Sequence, residues 1–141
     1  MARRYISLGS NIAPETNILA ALRLIAEPLP ITGLSTLYRT PPLGRPDQPD
    51  FINGMVAVET DLPPPQIRQY LREIEQQLGR VRTEDKYAAR TIDLDLTDPA
   101  DPEVLERPFV LVPLAELVAQ AAREELAPLM ELTEQARREV L

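Results

Sequence analysis

Runs of apolar and polar positions divide the chain into short segments with distinct periods. A brief apolar run at 5–8 predicts a strand, stopped by the turn-forming Gly9-Ser10-Asn11. Pro14 suits the first turn of a helix, and Ile18, Leu22 and Ile25 recur at helical spacing until Pro28. β-Branched and aromatic residues over 31–39 predict a second strand, and four prolines (Pro41, Pro42, Pro46 and Pro49) make 40–50 a stiff loop. A third strand is predicted over 51–60, with Ile52, Val56 and Val58 on one face. The clearest helix is 63–79, where Ile67, Tyr70, Leu71, Ile74 and Leu78 form a stripe and Gly79 is a fitting stop. Residues 91–96 alternate and predict a fourth strand, followed by an acidic loop over 97–106. The apolar 107–114 suits either strand or helix, and the tail from Pro113 predicts two helices broken at Pro128.

The order through Leu96 is β-α-β-β-α-β, an α+β arrangement of the ferredoxin-like kind: an antiparallel sheet with helices on one face. A length of 141 residues and 44% hydrophobic content fit one domain spanning 1–141. There is no cysteine and no histidine, which excludes disulfides, thiolate nucleophiles, Ser–His triads and the usual structural zinc sites. The net charge of −7 argues against a nucleic-acid partner, since such binding draws on clustered cations. The N-terminal apolar run is too short for a signal peptide, so no membrane partner and a cytoplasmic location are expected.

The sharpest chemical feature is Arg90-Thr-Ile-Asp-Leu-Asp-Leu96. Side chains two apart on a strand share a face, so Asp93 and Asp95 project together, opposite Ile92, Leu94 and Leu96. Adjacent carboxylates repel unless a cation lies between them, and magnesium accepts one or two carboxylates alongside substrate phosphates. A solvated strand face is the ordinary alternative. Charge favours the metal: residues 80–90 hold four cations against two acids, whereas 101–141 hold nine acids against four cations. Arginines beside a metal pair suit a polyphosphate. There is no Walker A motif, because Gly9-Ser10-Asn11 lacks the Lys-Ser/Thr partner and Lys86 is the sole lysine. The rigid loop 40–44 can offer backbone groups to a planar heterocycle, with Phe51 stacking on its face and Asn53 bonding its edge. Core packing is the ordinary alternative for Phe51.

Taken in order, Tyr5-Ile-Ser-Leu-Gly-Ser-Asn11, Tyr38-Arg-Thr-Pro-Pro-Leu-Gly44, Asp47-Gln-Pro-Asp-Phe-Ile-Asn53, Gly79-Arg-Val-Arg82, Arg90-Thr-Ile-Asp-Leu-Asp95 and Arg107-Pro-Phe-Val-Leu-Val-Pro-Leu114 resemble the 6-hydroxymethyl-7,8-dihydropterin pyrophosphokinase family of folate biosynthesis. The resemblance covers about 5–118 and leaves the helical tail 119–141 outside it. It implies an enzyme that transfers diphosphate from ATP to the pterin hydroxymethyl group and releases AMP, with two Mg2+ ions. By that resemblance Asp93 and Asp95 hold metal and, with Arg82 and Arg90, form the catalytic set. Thr40, Pro42, Leu43, Phe51, Asn53 and Phe109 bind the pterin. Glu75, Arg82, Tyr87, Arg90, Leu96 and Arg107 bind the nucleotide. The implied partners are the small molecules ATP and a reduced pterin.

The chain departs from the family pattern beyond Leu96, where a strand extension carrying an arginine is missing. Asp101 stands where the family has histidine, Tyr87 in place of a common tryptophan, and Arg72 in place of a frequent glutamine. These departures leave a second expectation open: an altered or catalytically impaired relative that binds a pterin without diphosphate transfer.

Overall fold

The computed structural model describes residues 1–42, 44, 47–80, 89–126 and 129–141. Its elements in chain order are β1 (Ala2–Ser10), α1 (Pro14–Ala26), β2 (Ile31–Leu34), β3 (Tyr38–Thr40), β4 (Phe51–Thr60), α2 (Pro64–Gln77), β5 (Asp93–Thr97), a 3₁₀ turn (Pro102–Glu106), α3 (Pro108–Glu125) and α4 (Met130–Val140). The strands form one antiparallel sheet in the order β2-β4-β1-β5, with β3 also paired to β4. This is the α+β, ferredoxin-like order expected from the chain, with the first and third long strands at the centre.

One face of the sheet presents Ile6, Leu8, Val56, Val58 and Leu94 to Ile18, Ala21 and Ile25 of α1 and to Ile67, Leu71 and Ile74 of α2. The alternate residues Tyr5, Met55 and Ala57 face the other way, against Val110, Leu114 and Leu117 of α3. The expectation of helices on one face is therefore corrected, because α3 covers the opposite face. The apolar stretch 107–114 resolves as helix, beginning at Pro108, where the missing N–H costs nothing. Pro113 lies inside α3 and is buried, so the Phe109 carbonyl lacks its usual donor four residues on. No residue of α4 is buried. Among the described residues, no helix is long and apolar enough to cross a membrane.

Three of the expected strands have different bounds in the structure. β1 runs on through Gly9 and Ser10, because Gly9 is paired on both sides, to Asn53 and to Asp93. The single strand expected at 31–39 is broken into β2 and β3. At the break, Ser35 Oγ takes the place of a backbone acceptor for the Met55 N–H (2.9 Å), while the Ser35 N–H donates to the Met55 carbonyl (2.9 Å). β5 starts at Asp93 and not at 91, because Arg90 is held by Asn11: its N–H donates to Asn11 Oδ1 (2.8 Å), and its carbonyl accepts the Asn11 N–H (3.2 Å). Within the acidic 97–106 stretch, Asp101 caps the 3₁₀ turn by accepting the Glu103 N–H at 3.0 Å. An aspartate at this position thus has a local structural reason.

α3 is fixed to the β2–β3 break through one carboxylate. Glu116 accepts the Thr36 N–H (2.9 Å), the Thr36 hydroxyl (3.0 Å) and the Tyr38 hydroxyl (2.9 Å). The backbone bond from Thr36 is the main cause holding the Glu116 carboxyl below its ordinary pKa. A carboxylate whose folded pKa is depressed stabilises the fold above its unfolded value, and that stability is lost as pH falls through the folded value. Glu116→Gln should therefore lower Tm by a few degrees at pH 7, with the gap from wild type closing as the pH drops below the ordinary carboxylate range. A pH series of thermal melts checks this, and a gap that stays constant with pH would contradict it.

Candidate active site

β pairing builds the site as two parallel rows across the sheet. Gly9 lies between Asn53 on β4 and Asp93 on β5, and Tyr38 flanks Asn53 on the far side. One step along, Ser7 lies between Met55 and Asp95. Directly paired residues point to the same face, so Asn53, Asp93 and Asp95 all lie on the face that carries α3. Phe51, two residues before Asn53 and paired with Thr40, shares that face. The first turn of α3 supplies Phe109, which is partly buried against the same cluster.

Asn53 is aimed by its neighbours. Its Nδ2 donates to Thr40 Oγ1 at 2.5 Å, and the side chain occupies the space above Gly9, where a Cβ would collide with Asn53 Oδ1. Glycine is needed here for this close approach and not for an unusual backbone angle. Thr40 and Asn53 are thus brought together. Leu43 lies outside the described residues, as do Arg82 and Tyr87.

The two aspartates have different surroundings. Asp93 carries an arginine on each oxygen: Arg80 Nη1 at 2.9 Å from Oδ1 and Arg90 Nη1 at 2.7 Å from Oδ2. Asp95 is exposed, but its carboxyl is pushed above the ordinary value, first by partial loss of hydration and then by the charge of Asp93, while Arg107 and Arg68 pull it back. Asp93, Asp95, Arg90 and Arg107 therefore lie near one another. Arg107 also reaches Glu103, with Nη2 at 3.3 Å from Oε2.

Glu75 and Leu96 sit on the other side of β5. Leu96 is partly buried against the α1–α2 core, facing away from the aspartates. Glu75 is 2% exposed, and its Oε2 accepts the Leu94 N–H (3.0 Å) and a short hydrogen bond from Arg80 Nη1. Among the described residues, those expected at the nucleotide thus lie on both faces of β5, the last strand of the sheet.

Two contributors were missed from sequence. Arg80 links Glu75 to Asp93, whereas the sequence marks it only as part of the basic island and of the Gly79-Arg-Val-Arg82 segment. Its signal was local: Gly79 has φ +83°, which ends α2 and turns the next side chain back towards Glu75, five residues earlier. Asn11 is the second. It is 3% exposed and donates to Gln48 Oε1 (3.0 Å) and to the Pro49 carbonyl (3.3 Å) while gripping the backbone of Arg90. One side chain thereby ties the proline-rich loop to the arginine on Asp93.

The family model described as 7,8-dihydro-6-hydroxymethylpterin-pyrophosphokinase matches residues 5–119. The chain belongs to this family. Among similar curated proteins, the 2-amino-4-hydroxy-6-hydroxymethyldihydropteridine pyrophosphokinase of Methylorubrum extorquens is 38% identical over 148 residues, covering 90% of this chain and 93% of its own. The proteins of the same name from Pseudomonas aeruginosa and Synechocystis sp. are 42% and 41% identical, over 84% and 79% of this chain. The chain spans 74% of the Pseudomonas relative and 64% of the Synechocystis one. Against the Methylorubrum relative the aligned length exceeds the length of this chain, so the pyrophosphokinase family includes members with residues that have no counterpart here.

Proposed function

We propose that this chain transfers diphosphate from ATP to the hydroxymethyl group of 6-hydroxymethyl-7,8-dihydropterin, giving AMP and the pterin diphosphate for folate synthesis. The observation that carries this reading is the row Asn53–Gly9–Asp93. It sets a group suited to the edge of a heterocycle two strands, about 10 Å, from a carboxylate gripped by two arginines. Phe51 and Phe109 flank the heterocycle, and Thr40 and Pro42 close the pocket at its loop end.

In the reaction the pterin hydroxyl oxygen bonds to the β-phosphorus. The bond from that phosphorus to the α,β-bridging oxygen breaks, AMP leaves with the oxygen, and the hydroxyl proton passes to solvent. Arg90 and Arg107 meet the phosphate oxygens, and the sheet holds the attacking and leaving groups in line. Asn11 keeps the pterin loop and Arg90 in one register, so both substrates are positioned by a single buried amide. Glu75 sets Arg80 behind Asp93.

The donor set fits magnesium. Among the described residues no group of three metal-ligating side chains occurs, leaving Asp93 and Asp95 as a carboxylate pair on one face. Two carboxylates with water and phosphate filling the other positions is the arrangement Mg2+ prefers. A cation there also offsets the repulsion that raises the Asp95 carboxyl. When bound, Mg2+ supplies charge neutralisation at the phosphates.

Nucleotide product analysis tests the proposal, using purified protein, Mg-ATP and the hydroxymethyl pterin. AMP and pterin diphosphate should appear in equal amounts, without ADP. Tight pterin binding with no AMP would replace this reading with a pterin-binding relative that lacks transfer.

A further inference from the structure

The two sides of the proposed pterin pocket belong to different elements. Thr40, Phe51 and Asn53 stand on β3 and β4, whereas Phe109 stands on the first turn of α3. α3 packs on the sheet through the apolar contacts of Val110, Leu114 and Leu117 with Tyr5, Met55 and Ala57. Such burial is non-directional, so by itself it leaves a helix free to slide or roll across a sheet. A shift by one residue would carry Phe109 about 1.5 Å along the axis and about 100° around it. Directed bonds remove that freedom. Among the described residues, every side-chain hydrogen bond between α3 and another part of the chain ends on Glu116, from the Thr36 N–H (2.9 Å), the Thr36 hydroxyl (3.0 Å) and the Tyr38 hydroxyl (2.9 Å). The gripped segment is itself registered on β4, where Ser35 exchanges bonds with Met55 and Tyr38 pairs with Asn53. On α3, Glu116 lies seven residues after Phe109, two turns along the same side and about 10 Å away. Pro113, between them, is buried, so packing holds the helix where its ladder is interrupted.

We propose that Glu116 is a positioning residue for the pterin: its carboxylate sets the register of α3 against β3, and so the placement of Phe109 opposite Phe51 and Asn53. Glu116 acts through these residues and touches no substrate. The inference rests on the pyrophosphokinase reading for the identity of the ligand. The register itself rests on the three bonds to Thr36 and Tyr38. The nucleotide side depends on it less, because Arg107 is a long side chain with its own contact to Glu103 at 3.3 Å.

Fluorescence titration of 6-hydroxymethylpterin, in Mg2+ buffer with saturating α,β-methylene-ATP, tests this alongside calorimetry of the nucleotide analogue alone. Glu116→Ala should raise the pterin Kd about tenfold by misplacing Phe109, and leave the analogue's Kd within about twofold. Glu116→Gln should recover most of the pterin affinity, because its amide oxygen still accepts from Thr36 and its N–H can donate to the Tyr38 oxygen. Ile25→Val trims the core on the opposite sheet face and lowers Tm without touching the link, so its pterin Kd should not move. Where the alanine variant does not fold, Tyr38→Phe breaks one of the three bonds and should raise the pterin Kd about twofold. An unchanged pterin Kd in the alanine or phenylalanine variant, no recovery in Glu116→Gln, an equal loss in Ile25→Val, or a parallel loss of nucleotide affinity would overturn the assignment. So would a wild type that binds no pterin. A wild type that binds pterin through Glu116 yet makes no AMP keeps the assignment and ends the pyrophosphokinase reading. AMP formation with an unchanged pterin Kd in Glu116→Ala does the reverse.

Discussion

Asp95→Asn should reduce AMP formation by roughly 10³-fold, the upper end of what loss of one preorganised electrostatic group costs, while Tm does not fall. Asp95 gives the fold little in return for its charge. Asp95 is exposed, yet partial loss of hydration and the neighbouring Asp93 both raise its carboxyl above the ordinary pKa, so its ionised form is disfavoured in the folded state. A carboxylate with a raised folded pKa penalises folding above that pKa, and the penalty disappears once pH falls below the unfolded value. The amide should therefore match or exceed wild-type Tm at pH 7, and the difference should vanish in acid. Asp93 is the contrasting case, since Arg80 and Arg90 neutralise it and its removal would also disturb the arginines. Paired measurements of turnover and melting on Asp95→Asn separate a functional carboxylate from a structural one. Retained turnover would remove Asp95 from the phosphate-transfer site, and a large fall in Tm would mean that its charge stabilises the fold.

The strand alternation at 91–96 was enough to put both aspartates on one face, because period-two geometry is local. The same reasoning placed Phe51 with Asn53, and the ferredoxin-like order followed from the sequence of periods. What could not be read were relations between distant segments. Pairing Gly9 with both Asn53 and Asp93 depends on the registers of β4 and β5 against β1, which no local pattern states. The 107–114 stretch was ambiguous because an apolar run of that length suits a buried strand or a helix equally. Its placement on the far sheet face follows from Tyr5, Met55 and Ala57, whose apolar face needed a cover. Asn11 looked like part of a turn, and its work in joining two loops appears only when residues 48–49 and 90 come together around it. Arg80 was hidden similarly: its value lies in reaching Glu75 and Asp93 at once, across the turn at Gly79.

That link also carries the largest expected effect on stability. Glu75→Ala should cost about 3–5 kcal/mol, the usual result of removing one partner from a buried ion pair. The carboxylate is 2% exposed and, among the described residues, meets the outward N–H of Leu94 and the guanidinium of Arg80, itself 10% exposed. Without it, an edge-strand N–H loses its acceptor beneath α2, and Arg80 keeps only Asp93 of the two carboxylates it bonds here. The second contact places the expected value nearer the lower end of that range. Glu75→Gln retains an acceptor for Leu94 but not the charge for Arg80, so it should cost less than the alanine. Urea unfolding with an unchanged m-value measures both variants. If Glu75→Ala lies within about 1 kcal/mol of wild type, a range typical of surface ion pairs, the carboxylate is not the strut between α2 and β5. If glutamine and alanine cost the same, the charge matters and the Leu94 bond does not. Because Arg80 spans Glu75 and Asp93, the loss should extend beyond stability: loosening this strut frees the arginine on Asp93. The alanine variant should accordingly bind Mg-ATP more weakly even at temperatures where it remains fully folded.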